Sequence, residues 1–324
     1  MGSLMRSNNP ISIFTVGSEM SGKLKLWLLE LRAPFFTASI VPVILGAVIA
    51  WQRGGTFHGG YFLLTLIGGV LLHAGTNVAN DYFDHLNRSD EINIEFVSPF
   101  TGGSRMIQEG LLTPREVITE ALILFALGSL IGLYLTWARG AAVLVLGLIG
   151  LFSGFFYTAP PIYLAKWGIG EFFVGLNFGL LMTLGSYYVQ SRALAWEPVV
   201  AAIPVACLIA AVLWINEFQD APADHAVGKD TLVTRLGRKR AVTGYIFLLV
   251  ATYLSILLAA ALRVISPFTL LALLTFPLAW KAIGVARLHY DDYQRLTPAN
   301  ATTIQIHMLT GLLLILGYLL DKVI

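Results

Sequence analysis

Charge is scarce in this chain. Of 324 residues only 12% are Asp, Glu, Lys or Arg, against 56% hydrophobic. Soluble domains carry about 25% charged residues, so a water-soluble globular protein is excluded. Lys and Arg total 21 and Asp and Glu 19. A balance this even gives no basic surface for nucleic acid, and no nucleic-acid partner is expected. There is one cysteine, Cys207, inside an apolar run, which excludes an intrachain disulfide and argues against a thiolate metal site. The first 22 residues contain neither an apolar core nor a cleavage pattern of a secretory signal. Residues 1–22 read as a loosely ordered cytoplasmic tail, and 23–324 as one domain.

Apolar runs are what the chain has in plenty. Nine approach the ~20 residues that cross a bilayer as a helix, at about 26–51, 60–84, 117–137, 141–159, 170–190, 199–219, 240–262, 267–287 and 303–320. They are too long for barrel strands, and lipid leaves only helices or closed barrels. The fold class is therefore an all-α integral membrane protein with nine transmembrane helices. Thr113-Pro114 with Glu116 reads as a helix start. Pro160-Pro161 stops the fourth span, and Pro34, Pro42, Pro204 and Pro277 predict kinks.

The basic residues sort by side. Fourteen, from Arg6 and Lys23 to Arg287 and Arg295, fall on the N-terminal side, and five (Arg53, Arg139, Arg192, Arg263, Lys322) on the other. The positive-inside rule then places the N-terminus in the cytoplasm and the C-terminus outside, for a multi-pass protein of the cell's inner membrane. Two long connections, 85–116 and 220–239, lie on the cytoplasmic side and read as cap loops.

Each long connection follows an acidic motif. The first is Asn77-x-x-x-Asp81-x-x-Asp84, the second Asn216-x-x-x-Asp220-x-x-x-Asp224. Asn77 and Asn216, like Asp81 and Asp220, differ by 139 positions, which suggests two pseudo-repeated helical halves meeting at a central cavity. Residues 77, 81 and 84 share one helix face; 216, 220 and 224 drift by about 80° but keep one side. A buried carboxylate needs a partner. Two faces of carboxylates and amides are hard-oxygen surfaces suited to Mg²⁺ carrying phosphate; ion pairing with nearby Lys and Arg is the alternative. His85 and His225, each next to a motif's last acid, open a Zn²⁺ alternative, with solvated interfacial histidines as the plainer reading. Arg32, Arg105, Lys166, Lys229 and Arg235 are the basic residues near the motifs, and a diphosphate needs such donors. Arg105 closes a glycine-rich turn, Thr101-Gly102-Gly103-Ser104-Arg105. The aromatic stretch ending at Tyr157 is either an interfacial belt or a set of π-faces for a developing carbocation.

Together these residues resemble the UbiA superfamily of intramembrane prenyltransferases, over nearly the whole chain from about residue 25. The resemblance rests on Asn80 to Asp84 (NDYFD), on the second motif ending at Asp224, on Tyr157 to Pro161 (YTAPP), and on Lys166 with Gly168 to Glu171. It implies nine helices around a central cavity, Mg²⁺ held by Asp81, Asp84, Asp220 and Asp224, and an isoprenyl diphosphate whose chain is passed to an acceptor. Asn77, Asn80, Arg32, Arg105, Tyr157, Lys166, Asn216 and Lys229 would contact the substrates, with membrane lipid around the prenyl tail. Asp90, six residues after Asp84, and the loop Gly102 to Gly110 (GGSRMIQEG) look most like the 1,4-dihydroxy-2-naphthoate branch of menaquinone biosynthesis. 4-Hydroxybenzoate, homogentisate or a glycerol lipid is the alternative acceptor. Asn216 departs from relatives with Asp there, which leaves the ligand count open. A secondary transporter and a non-catalytic lipid-binding protein are the readings of other classes.

Overall fold

A computed structural model describes residues 22–324; the tail expected over 1–22 lies, apart from Gly22, outside the described residues. Among the described residues every regular element is helical. Eight helical segments are long and apolar enough to cross a membrane, and the protein is a multi-pass membrane protein.

The first apolar run is broken where one span was expected. A short helix α1 (Gly22–Glu30) ends before Arg32, which takes left-handed angles, φ 56° and ψ 47°. Pro34 disfavours helical angles at the residue before it, and a 3₁₀ turn (Ala33–Phe36) leads into α2 (Thr37–Gly54). The span is thus Ala33–Gly54, not 26–51. Next come α3 (Gly59–Asn87), a single turn α4 (Ser89–Ile92) and α5 (Pro114–Arg139). Thr113 and Glu116 form the expected capping box.

The apolar helix α6 (Ala141–Phe155) has 15 residues, about 22 Å of rise. The chain leaves it before Pro160-Pro161, so the run expected over 141–159 is shorter than a full span. The following span is composite. It joins α7 (Gly170–Gly175), a π-helical segment (Leu176–Leu181) and α8 (Met182–Ser191). Then come α9 (Trp196–Ala226), the short α10 (Leu232–Leu236), α11 (Arg238–Ala261), a 3₁₀ segment (Pro267–Thr275) continued by α12 (Phe276–His289), and α13 (Tyr293–Val323). Pro42 and Pro204 are accommodated inside α2 and α9, and Pro277 stands where the 3₁₀ segment gives way to α12.

Two of the packing cores are built on α11 and α13. Ile215, Phe218, Tyr245 and Ile306 join α9, α11 and α13. Leu45, Ile49, Ile256 and Leu314 join α2, α11 and α13. Large apolar side chains such as Leu130, Trp137 and Phe247 point outward, as a lipid-facing surface requires. Lipid gives no hydrophobic drive for helix association, so close backbone approach carries the packing. At Gly46 a Cβ would stand 2.1 Å from the Thr183 carbonyl oxygen, so α2 and α8 meet only because this residue has no side chain. Between α2, α3, α5, α6, the α7–α8 span and α9 lies a cavity of about 340 Å³. Gly46→Leu is expected to lower the thermal unfolding midpoint in detergent, by the equivalent of about 1–3 kcal/mol or more for overpacking. An unchanged midpoint would contradict this contact.

Candidate active site

The two acidic motifs occupy the C-terminal ends of two long helices. α3 continues to Asn87 and α9 to Ala226, so the second motif lies wholly within a helix, and the cap loop expected over 220–239 begins only at Val227. Asn77, Asn80 and Asp84 line the cavity from α3; Asn216, Asp220 and Asp224 line it from α9. The motif ends meet at Lys229. Its Nζ lies 3.1 Å from Asp84 Oδ2 and 3.4 Å from Asp224 Oδ1. Burial opposes the lysine's charge, but Asp224 and Asp84 outweigh it and hold the ammonium protonated well above the usual lysine range.

The other polar groups fix these carboxylates in place. Asn80 and Asn87 donate to the two oxygens of Asp84 at 3.0 and 3.1 Å. Asn93, from the loop after α4, donates to Asp220 at 2.7 Å. Asn300 of α13 donates to Asn216 Oδ1 at 2.8 Å, and Asn77 donates to the Leu31 carbonyl at 3.3 Å. Tyr157 lines the cavity, and its ring packs on Gly170 at the start of α7.

Some candidates stand elsewhere than their spacing suggests. Asp81 is buried but turned from the cavity towards the cap loop, where the Ser104 N–H donates to its Oδ2 at 2.8 Å. Arg32 lines the cavity and reaches Asp81 at 3.7 Å. Arg105 does not line the cavity: its guanidinium donates to the Asp90 carbonyl at 2.5 Å and lies over Phe96. Lys166 is exposed on the 3₁₀ turn Leu164–Trp167, away from the cavity. His85 pairs with Glu91 and His225 with Asp230, as solvated interfacial histidines do.

Five buried acids lie outside the spaced Asp positions of the two motifs: Glu30, Asp90, Glu120, Glu171 and Glu217. Asp90 was the most findable, six residues past Asp84. Over Gly103 (φ +69°) an added Cβ would be 2.8 Å from Asp90 Oδ2 and 2.9 Å from Asp81 Oδ1. Glycine thus admits two carboxylates to one point from opposite sides. Burial, then Asp84 and Asp81, raise the Asp90 carboxyl to about 9.

Among the described residues no three His, Cys, Asp or Glu side chains already surround a single metal position. The donor chemistry nonetheless fits a hard divalent cation. Asp81 Oδ1 is buried without a hydrogen-bond partner, Asp90 lies against the same glycine, Gly103, and Asp84 and Asp224 are bridged by the Lys229 ammonium. Mg²⁺ takes one or two carboxylates and completes its shell with phosphate oxygens and water.

With the raised Asp90, the folded state binds a proton that the unfolded chain releases between pH 3.8 and about 9. In the metal-free protein this contribution to stability is complete below pH 3.8 and is lost as pH rises through about 9. Asp90→Asn is expected to remove that part of the decline, seen in the slope of unfolding midpoint against pH in EDTA. An identical slope in the variant would contradict the burial of a protonated Asp90.

Residues 39–319 match the UbiA prenyltransferase family, and the chain belongs to that family. It is 30% identical over 302 residues to the 1,4-dihydroxy-2-naphthoate octaprenyltransferase of Escherichia coli (strain K12), covering 91% of this chain and 96% of the relative. It is 27% identical over 296 residues to the 2-carboxy-1,4-naphthoquinone phytyltransferase of Synechocystis sp., covering 91% and 93%. A UbiA homolog from Archaeoglobus fulgidus, solved bound to DMAPP and Mg²⁺, shares the fold with TM-score 0.59 and 17% identity, covering 89% of this chain and 98% of that one. The protein is a prenyltransferase.

Proposed function

We propose that this UbiA-family prenyltransferase moves a polyprenyl group from an isoprenyl diphosphate to 1,4-dihydroxy-2-naphthoate, in menaquinone biosynthesis, with Mg²⁺ at its acidic motifs. The observation that carries the reading is the convergence of Asp84 and Asp224, 140 positions apart in sequence, on one lysine at the mouth of one cavity. Asp81 and Asp84 on one side and Asp220 and Asp224 on the other would hold the metal, with Asp90 beside Asp81. Bound there, Mg²⁺ neutralises the charge that gathers on the departing diphosphate.

The chain's own residues supply the rest. Lys229 and Arg32 bring positive charge to the cavity mouth, where diphosphate oxygens replace Asp84, Asp224 and Asp81 as their partners. Asn77, Asn80 and Asn216 orient the carboxylates or the diphosphate. Arg105, braced against Asp90 and Phe96, holds the shape of the cap loop rather than the substrate, and the exposed Lys166 contributes to the basic cytoplasmic surface. With the leaving group neutralised, the allylic C–O bond ionises and an electron-rich ring attacks the cation. The Tyr157 ring faces the cavity, where a π-face stabilises positive charge. Apolar walls from Leu72 to Leu135 and Met182 exclude water. The same walls take the tail, each buried CH₂ gaining about 0.8 kcal/mol. The basic-residue count supports a cytoplasmic active site and an outer C-terminus, in the inner membrane.

The test is prenyl transfer by purified protein with one radiolabelled polyprenyl diphosphate and a panel of acceptors: dihydroxynaphthoate, hydroxybenzoate, homogentisate and a glycerol lipid. Product on dihydroxynaphthoate is expected, with EDTA abolishing it, and Asp81→Ala and Asp220→Ala each lowering the rate at least about 10²-fold, as loss of one charge-stabilising group does. Product on another acceptor alone would overturn the acceptor, and near wild-type rates in either variant would overturn the metal assignment.

A further inference from the structure

Glu217 stands on α9 beside the second motif and takes no part in the metal and diphosphate chemistry above. It is 5% exposed and lines the cavity. Its Oε2 has no hydrogen-bond partner. Glu171, at the start of α7, is 4% exposed and also has an unpartnered Oε2, while its Oε1 accepts the Leu232 N–H at 2.9 Å. Glu171 is a neighbour whose charge acts on Glu217. Among the described residues neither is in an ion pair; Lys229 is committed to Asp84 and Asp224. Two carboxylates close together in a buried site repel each other without screening, so a group that brings a donor or a proton to Glu217 is favoured there. That leaves Glu217 Oε2 buried without a donor on a cavity wall that also carries Tyr157, Asn216, Asp224 and Lys229. Buried acceptors are rarely left without a donor, and no side chain supplies one. The missing donor is supplied from the cavity, by water or by a ligand that displaces it.

Resting on the function proposed above, we infer that Glu217 accepts the hydrogen bond of the aromatic acceptor's hydroxyl and takes that proton as the ring attacks. Glu171 is a positioning residue, whose charge acts on Glu217 and which is itself tied to the cap loop through Leu232. A prenyl tail offers no donor and a diphosphate offers more acceptor oxygens, so neither satisfies Glu217. An aromatic hydroxyl does. Tyr157, packed against Gly170 beside Glu171, supplies a ring next to which an aromatic acceptor can lie.

The step balances. The allylic C–O bond breaks and its electron pair leaves with diphosphate. A π pair of the ring forms the new C–C bond at the carbon that bears the carboxylate, and the hydroxyl proton passes to Glu217, leaving a ring ketone. The bond to the carboxylate then breaks, CO₂ departs, and the electron pair returns the ring to aromaticity. Glu217 gives the proton back to the ring oxygen, so no proton is gained or lost overall.

Glu217→Gln keeps shape and hydrogen bonding but cannot take the proton. It is expected to lower kcat at least 100-fold and raise KM for the hydroxylated acceptor about tenfold. Mg²⁺-dependent binding of farnesyl thiodiphosphate, an unreactive donor analogue, should stay within threefold of wild type, which also reports that the variant is folded. Glu171→Gln, which keeps its shape beside Glu217, should keep kcat within tenfold. Wild-type kcat and KM in Glu217→Gln would overturn the inference. So would a tenfold loss of donor-analogue affinity with unchanged acceptor KM, which would make Glu217 part of the metal site. If the wild type transferred to no aromatic acceptor, the proposed function would fall and this assignment with it.

Discussion

Mutual repulsion between carboxylates at the edge of a low-dielectric medium is the constraint from which the cytoplasmic end of this protein follows. Asp84, Asp90, Asp220 and Asp224 all line one cavity, and Asp81 is buried at its edge. Such a group is stable only if protons or cations offset its charge. Both means are visible. Lys229 stands between Asp84 and Asp224, and Asp90 keeps its proton to about pH 9. On the function proposed above, a phosphate-bearing cation would relieve Lys229 and the carboxylates together.

The same constraint gives the cap loops their purpose. The loop after α3 returns over the motif, so that Ser104 meets Asp81, Asn93 meets Asp220, and Arg105 braces the Asp90 carbonyl. The loop after α9 brings Lys229 inward and ties Leu232 to Glu171. Both loops are anchored on the groups that the proposed function assigns to substrate and metal. Beneath them the apolar helices supply a dry channel, with close approaches such as Gly46 on Thr183 keeping its walls rigid.

Much of this was legible in sequence, for reasons that differ residue by residue. Long apolar runs announce helices because lipid admits little else, and the Thr113–Glu116 box announces its helix start because the capping residues are adjacent in the chain. The repeated acidic motif foretold that the ends of α3 and α9 would meet at one cavity, although the partners at offset 139, Asp81 and Asp220, do not stand alike: Asp220 lines the cavity and Asp81 does not. What spacing does not carry is the azimuth of each side chain and the path of the returning loops. Asp81 sits at the edge of its helix face, and only the course of residues 101–105 decides that it turns to Ser104. Arg105 belongs to a turn whose shape no periodicity reports, so its partner, the Asp90 carbonyl, was invisible. Arg32 takes left-handed angles that the helical pattern of 26–51 conceals, although Pro34 marked the break. Glu171 and Glu217 lie 46 positions apart and become a pair only through the packing of α7 on α9.

The central claim is that the two motif ends form one cation and diphosphate site. A double-mutant cycle with Asp84→Asn and Asp224→Asn, read as Mg²⁺-dependent affinity for an unreactive isoprenyl diphosphate analogue in titration calorimetry, tests it most directly. Each single variant should weaken binding at least tenfold, and the double variant should fall short of the product of the two losses, because residues serving one bound group are coupled. Losses that multiply independently, or full affinity in either single variant, would contradict a shared site.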